Sequence, residues 1–230
     1  MSAQSISTIT APFRNAERMQ QSLLAPLERR ALGWLAARIP SRIGPDHLTL
    51  LGFLALALAG ASYALASRWP PALLMVNIWL AVNWFGDSLD GTLARYRQQQ
   101  RPRYGFYVDH IVDSFGALFV LGGLAYSGLM TERVALALLI GFLLLSIDSY
   151  LAAYTLGRFN LSFGIFSPTE LRILLALGNI VFFWKPQVTV FGVRASLFDV
   201  GGSVGAICMG AVLIVSVARN TRALYQAEKL

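Results

Sequence analysis

Charge is what this chain has least of. Asp, Glu, Lys and Arg make up 13% of its 230 residues, about half the roughly 25% of a soluble globular domain. Acid is scarcer than base, with twelve Asp and Glu against nineteen Lys and Arg. A single cysteine, Cys208, excludes an internal disulfide. No internal repeat, low-complexity tract or second domain interrupts the chain, so residues 1–230 read as one unit. The first 46 residues hold Arg14, Arg18, Arg29, Arg30, Arg38 and Arg42 but no unbroken apolar core, which argues against a cleaved signal peptide. What fills the chain instead is apolar: 56% of residues are hydrophobic, with a mean hydropathy of +0.57. That is the composition of a membrane protein. The net charge of +7 suits nucleic acid in magnitude. The basic residues flank apolar runs, however, so no nucleic-acid partner is expected.

Six apolar windows can be marked, at about 47–67, 71–92, 106–128, 133–156, 169–185 and 196–218. Each approaches the roughly 20 residues that cross about 30 Å of hydrocarbon. The fifth is the weakest, because Glu170 and Arg172 stand at its start. The short connections RWPPA and MTERV read as tight turns on one side of the membrane. The expected fold class is therefore all-α: a six-helix transmembrane bundle over 47–218. Residues 1–46 form a cytoplasmic or interfacial segment before it, and 219–230 a cytoplasmic tail. With both termini on one side, that side collects fifteen of the nineteen Lys and Arg. Basic residues accumulate on the cytoplasmic side, so both termini and the junction between the second and third spans are expected there. Within the N-terminal segment, Leu23, Leu24, Leu27, Leu32, Trp34, Leu35 and Ile39 alternate with Arg and Glu. The pattern is that of an amphipathic helix in the headgroup plane, ended by Pro40 and Pro45; a plain basic anchor reads equally well.

Against this background, DSLDGTLARYRQQQRPRYGFYVDHIVD, residues 87–113, places four of the twelve acids at a seam between two spans. Residues three and four apart share a helix face. Asp87, Asp90, Gly91 and Ala94 thus form one stripe at the end of the second span, and Gly105, Asp109 and Asp113 another at the start of the third. Four facing carboxylates repel, and some take up protons unless cations intervene. Mg²⁺ suits such a site, since it binds carboxylates while keeping positions for water and phosphate. Two ions can clamp a phosphoryl group during displacement. Gly91, Ala94 and Gly105 leave room for a bulky ligand, and Arg95 adds positive charge for phosphate. Carboxylates at membrane depth also mark ion or proton pathways, so on content alone transport and catalysis both stand open.

Read as D-x-x-D-G-x-x-A-R, nine residues, then G-x-x-x-D-x-x-x-D, the stretch resembles the signature of the CDP-alcohol phosphotransferases. All eight fixed positions are present: Asp87, Asp90, Gly91, Ala94, Arg95, Gly105, Asp109 and Asp113. The resemblance implies an integral membrane enzyme of phospholipid synthesis that displaces CMP from a CDP-linked lipid or alcohol. It implies that Asp87, Asp90 and Asp109 hold two Mg²⁺ or Mn²⁺ ions. Asp113 would also approach the metals and act as general base on the acceptor hydroxyl. Gly91, Ala94, Arg95 and Gly105 would line the CDP pocket. It further implies a homodimer with its active site at the cytoplasmic face, in the inner membrane if the source is bacterial. One departure stands out: many relatives have Pro-Asn ahead of a Thr, whereas this chain has Pro45-Asp46-His47-Leu48-Thr49. Thr49 keeps its place facing the pyrophosphate, and Asp46 puts an Asn-type contact in doubt.

The acceptor is less legible. A phosphate-bearing acceptor such as glycerol phosphate or inositol phosphate calls for cations, and Arg158 and Arg172 are candidates, although positive-inside bias explains both equally well. Glu170 would meet a cationic amino alcohol or pair with Arg172. Asp148 either lines the cavity or hydrogen-bonds within the bundle through neighbours such as Ser146 and Ser149. His110 turns about 100° from the aspartate stripe, which favours packing or headgroup contact. Asn83 reads as interhelical glue. Two donors suit the motif equally: CDP-diacylglycerol giving a phosphatidyl group to a small polar alcohol, or a CDP-amino alcohol giving its headgroup phosphate to diacylglycerol. Compact size and the basic cytoplasmic face favour the first. A transporter would need polar residues through several spans, and here they gather at one end.

Overall fold

The computed structural model describes residues 17–19, 25–160 and 168–229. In chain order its elements are β1 (Glu17–Met19), α1 (Ala25–Ala36), α2 (Pro45–Ala66), α3 (Ala72–Tyr96), α4 (Pro102–Ser127), α5 (Glu132–Leu156), β2 (Arg158–Asn160), α6 (Pro168–Trp184), β3 (Gln187–Val190), β4 (Val193–Ser196) and α7 (Leu197–Ala227). Among the described residues five helices, α2 to α5 and α7, are long and apolar enough to cross a membrane. The remaining expected span, the fifth in chain order, is α6, at 17 residues, on the lower limit for crossing. Glu170 and Arg172 lie within its first turns. The chain is an all-α membrane bundle, with two small sheets that the hydropathy pattern did not announce. β1 pairs parallel with β2, and β3 pairs antiparallel with β4. The β3–β4 turn is Phe191-Gly192, both at positive φ, as a two-residue hairpin requires.

Local chemistry sets the helix ends. Pro45 starts α2 and Pro102 starts α4, where a missing N–H costs nothing and φ is already helical. His47 Nδ1 accepts from the Gly44 N–H at 3.1 Å, closing the first turn of α2. The connection before it is held from α3: Arg97 donates to the carbonyls of Ile43 (2.6 Å), Ile39 (2.9 Å) and Pro40 (3.0 Å).

The α1 helix stands where the sequence showed the amphipathic pattern. Leu32 and Ala36 bury against Leu48 of α2 and Leu89 and Leu93 of α3. Leu27 and Trp34 stay exposed, with the Arg38 guanidinium 3.8 Å over the Trp34 ring. Leu23 and Leu24, the other part of that amphipathic pattern, lie outside the described residues.

The centre of the bundle is α2, and it packs by backbone contact. A Cβ at Gly86 of α3 would stand 2.5 Å from the Leu48 carbonyl oxygen, and one at Gly123 of α4 would stand 2.1 Å from that of Gly60. In lipid, apolar side chains gain little by leaving the tails, so small residues that let backbones approach are what hold helices together. The apolar core below the site gathers Tyr63, Val76, Leu80, Leu124 and Phe198. Conversely, Leu54, Leu58, Ile78, Leu118, Leu136 and Ile140 point outward, the surface that hydrocarbon would solvate.

Packing this close makes a direct prediction. Gly123→Ala should destabilise the protein by roughly 1–3 kcal/mol, the usual cost of overpacking. Its neighbour Gly122 has open space around its Cβ position, so Gly122→Ala should be neutral or stabilising by up to about 1 kcal/mol through helix propensity. Thermal unfolding in detergent checks the pair; equal melting temperatures would refute the backbone contact.

Polar side chains seat α6 on α3. Arg172 reaches Asn83 and Asp87, Asn179 donates to Asn77 at 2.7 Å, and Asn77 donates to the Ala176 carbonyl at 3.2 Å. Tyr63 of α2 joins this chain by donating to Asn179 Oδ1 at 2.8 Å. Asn83 also donates to the Gly52 carbonyl at 3.0 Å, so it does act as glue between helices.

Candidate active site

The signature lies wholly on two helices and the tight turn between them. Asp87, Asp90, Gly91, Ala94 and Arg95 occupy the last turns of α3, and Gly105, Asp109 and Asp113 the first turns of α4. The nine-residue spacing is taken up by Tyr96, the turn 97–101 and the start of α4. Gln98 adopts a φ of 56° in that turn, and the reversal brings both aspartate stripes to the same end of the bundle. Arg101 closes the turn onto Asp46 through an ion pair. This fixes the departure noted in the sequence: Asp46 is tied to the α3–α4 turn.

Within the cluster each group has a specific partner. Asp90 is buried, its Oδ2 accepting from Thr49 Oγ1 at 2.6 Å and its Oδ1 from the Gly91 N–H at 2.5 Å. Thr49 of α2 therefore does reach the aspartates. Asp87 accepts from Arg172 Nη2 at 2.5 Å, while Arg172 Nε donates to Asn83 Oδ1 at 2.7 Å. Asp113 lies in electrostatic range of Asp87, Asp109, Asp90 and Arg172, and Asp90 in range of Asp109 and Asp87. Two turns of α3 and two of α4 thus place four carboxylates in one field, met by the guanidinium that α6 supplies.

The donor set fits hard divalent cations: oxygen ligands only, and more negative charge than one guanidinium offsets. The side chains are not gathered into a cage; among the described residues no three His, Cys, Asp or Glu groups stand together as a metal site. Asp87 is turned onto Arg172 and Asp90 onto Thr49. Around them there is space for a ligand. A Cβ at Gly105 would meet nothing within 4 Å, and one at Gly91 would first meet Arg95 Nη1 at 3.5 Å. Arg95 is exposed one turn beyond Gly91 and also donates to Thr92 at 3.1 Å. Ala94 is half-buried on the same stripe.

The acceptor candidates separate. Arg172 enters the cluster, engaged with Asp87 and Asn83, and Glu170 sits half-buried in the first turn of α6. Arg158 lies in β2, and its side chain is outside the described residues. Asp148 does not join the cluster. It accepts from Ser216 at 2.5 Å and Asn220 at 3.3 Å on α7, while Ser146 bonds the Phe142 carbonyl. The partners expected from its sequence neighbours are thus replaced by partners across the α5–α7 seam. The reason is helical phase: Tyr150, two residues on and about 200° round the helix, faces α4. Its ring lies 4.6 Å from that of His110, and His110 also contacts the Phe106 carbonyl. Both contacts pack His110 against its own helix and α5.

Sequence reasoning missed two residues that build this end of the bundle. One is Arg97, described above. The other is Glu28 of α1, whose Oε1 accepts from Trp84 Nε1 at 2.8 Å, Ser88 Oγ at 3.2 Å and Thr169 Oγ1 at 2.9 Å. An acid on an otherwise Arg-rich segment was the available signal.

Comparisons with known proteins agree with the geometry. Residues 42–218 match the CDP-alcohol phosphatidyltransferase family model, a span that contains the whole signature. The chain is 32% identical over 155 residues to an archaetidylinositol phosphate synthase of Pyrococcus horikoshii, covering 67% of this chain and 77% of that protein. A protein of the same name from Methanothermobacter thermautotrophicus is 33% identical over 114 residues, or 48% of this chain and 54% of the relative. Cholinephosphotransferase 1 of Gallus gallus is 28% identical over 209 residues, 84% of this chain and 60% of the relative. The family is generally dependent on divalent metal. The chain belongs to the CDP-alcohol phosphatidyltransferase family, integral membrane enzymes that transfer a substituted phosphate group from a CDP-linked donor to an alcohol and release CMP.

Proposed function

We propose that this enzyme, acting as a homodimer, transfers a phosphatidyl group from CDP-diacylglycerol to a small polar alcohol that itself carries phosphate. The observation that carries this reading is Arg172, whose guanidinium comes from α6 into the aspartate cluster. A planar fork of five donors recognises phosphate well, and Nε and Nη2 are the two donors engaged with Asn83 and Asp87. The names of the two archaeal relatives, archaetidylinositol phosphate synthase, support a phosphorylated acceptor.

In this reading Asp87, Asp90 and Asp109 would hold two Mg²⁺ or Mn²⁺ ions, with Asp113 approaching them. Such ions supply counter-charge for the pyrophosphate when bound. Gly91, Ala94, Gly105, Arg95 and Thr49 shape the nucleotide's place. The acceptor oxygen forms a bond to the lipid-bearing phosphorus, the bond from that phosphorus to the CMP oxygen breaks, and CMP leaves. The hydroxyl proton goes to Asp113. One general base near the acceptor suffices for this displacement.

The test uses purified enzyme, labelled CDP-diacylglycerol and a panel of glycerol phosphate, inositol phosphate, inositol and serine, scored by CMP release. Phosphorylated acceptors should react, and Arg172→Ala should raise their KM. Turnover confined to unphosphorylated alcohols would sink the proposal. Exclusive use of CDP-choline with diacylglycerol would instead favour the headgroup-transfer reading, which the likeness to cholinephosphotransferase 1 keeps in the panel.

Sidedness follows from the charge asymmetry. With both termini and the α3–α4 turn on one side, that side collects fifteen of nineteen Lys and Arg, which supports an active site at the cytoplasmic face. Reporter fusions at the C-terminus and within residues 129–133 should report opposite sides. Identical signals would refute the topology.

A further inference from the structure

Glu28 has no place in the family signature, and α1 lies outside the membrane-spanning helices. A glutamate on a basic interfacial helix has water and headgroups available, yet this one turns inward. Its Oε1 takes hydrogen bonds from Trp84 and Ser88 of α3 and from Thr169 of α6. Ser88 adjoins Asp87. Thr169 precedes Arg172 by three residues, close to one helical turn. One oxygen thus spans the two helix ends between which the Arg172–Asp87 contact forms. Hydrogen bonds to an ionised acceptor are about twice as strong as neutral ones, and α1 is itself anchored by Leu32 and Ala36. The carboxylate is therefore a fixed point against which α6 is set.

We propose that Glu28 is a positioning residue for the transfer reaction: by clasping α1, α3 and the first turn of α6, it fixes where Arg172 stands relative to Asp87. This inference rests on the reading of Arg172 given above. It predicts an asymmetric effect, because the donor's place is built from α3, α4 and Thr49, whereas Arg172 depends on the seating of α6.

The test compares Glu28→Ala, Glu28→Gln and Thr169→Val in the full-length protein with inositol phosphate and glycerol phosphate as acceptors. Glu28→Ala should raise acceptor KM by on the order of tenfold, since small misplacements of a positioning group are costly, while donor affinity stays within about twofold. Thr169→Val should act in the same direction and more weakly. Glu28→Gln keeps an acceptor oxygen and should restore most of the loss. Independently of turnover, the Trp84 indole N–H resonance, assigned through Trp84→Phe, should shift in Glu28→Ala. Normal wild-type turnover with an unmoved acceptor KM in Glu28→Ala would overturn the positioning role alone. Equal weakening of donor and acceptor, with a lowered melting temperature that Gln does not repair, would reduce Glu28 to a structural contact. If the unmutated protein released no CMP with either phosphorylated acceptor, the reading of Arg172 would fall first.

Discussion

Asp113→Asn is expected to slow transfer by on the order of 10²- to 10⁴-fold, the usual worth of a general base, while the CDP-linked donor still binds. Asp113 stands one turn further along α4 than Asp109 on the same face, within the field of Asp87, Asp90, Asp109 and Arg172. Asparagine keeps the volume and one oxygen but has no carboxylate to take the hydroxyl proton. Asp87→Asn should behave differently. It removes a carboxylate that would hold the ions and also frees Arg172 from its partner. The counter-charge for the donor's pyrophosphate goes with it, so donor affinity itself should fall. Metal-dependent donor binding measured beside single-turnover CMP release separates the two. Should Asp113→Asn lose donor affinity as badly as Asp87→Asn, Asp113 is chiefly a ligand and the base lies elsewhere.

Chelation is expected to abolish transfer, with recovery on addition of Mg²⁺ or Mn²⁺. Four carboxylates share one end of the bundle, and among the described residues it is Arg172 that forms an ion pair within that cluster. Carboxylates that share one field repel one another and favour cations between them. A bound divalent ion contributes several kcal/mol to phosphoryl chemistry, and about 1.4 kcal/mol is a factor of ten in rate. A loss of at least about a thousandfold is therefore expected from a chelator in excess. The cations should also raise the melting temperature, because they bind the folded cluster and not the dispersed carboxylates of the unfolded chain. Undiminished turnover in excess EDTA would refute the metal site outright.

The helices and the signature were legible in the sequence for separate reasons. Lipid leaves a spanning segment no choice but an apolar run with its own hydrogen bonds satisfied, so α2 to α5 and α7 show as hydropathy windows. Their ends moved: α3 continues to Tyr96, α4 starts at Pro102 and α7 runs nine residues past 218, to Ala227, into the expected tail, because the flanking charged residues are helical too. The aspartate stripes needed only helical periodicity. The β3–β4 hairpin was also written in the chain, as QVTVFGVRAS, but lay unread beside stronger apolar signals.

Other features could not be read from one dimension. Arg172 had equal claim to topology bias or to a site, and only the packing of α6 on α3 sends it to Asp87 and Asn83. Asp148 was open to lining the cavity or bonding within the bundle; it does the latter, and helical phase turns it to Ser216 and Asn220, some seventy residues away, rather than to Ser146 or Ser149. Glu28 carried no signal beyond its sign, yet three helices meet on its oxygen. Sequence by itself determined which segments are long and apolar enough to span a membrane, which carboxylates share a face and which family signature they form, since these follow from local period, length and residue type. Tertiary structure alone decided which charge meets which, because a side chain's partner depends on the rotation and separation of helices. Here close backbone contacts at Gly60, Gly86 and Gly123 set those, and no local pattern encodes them.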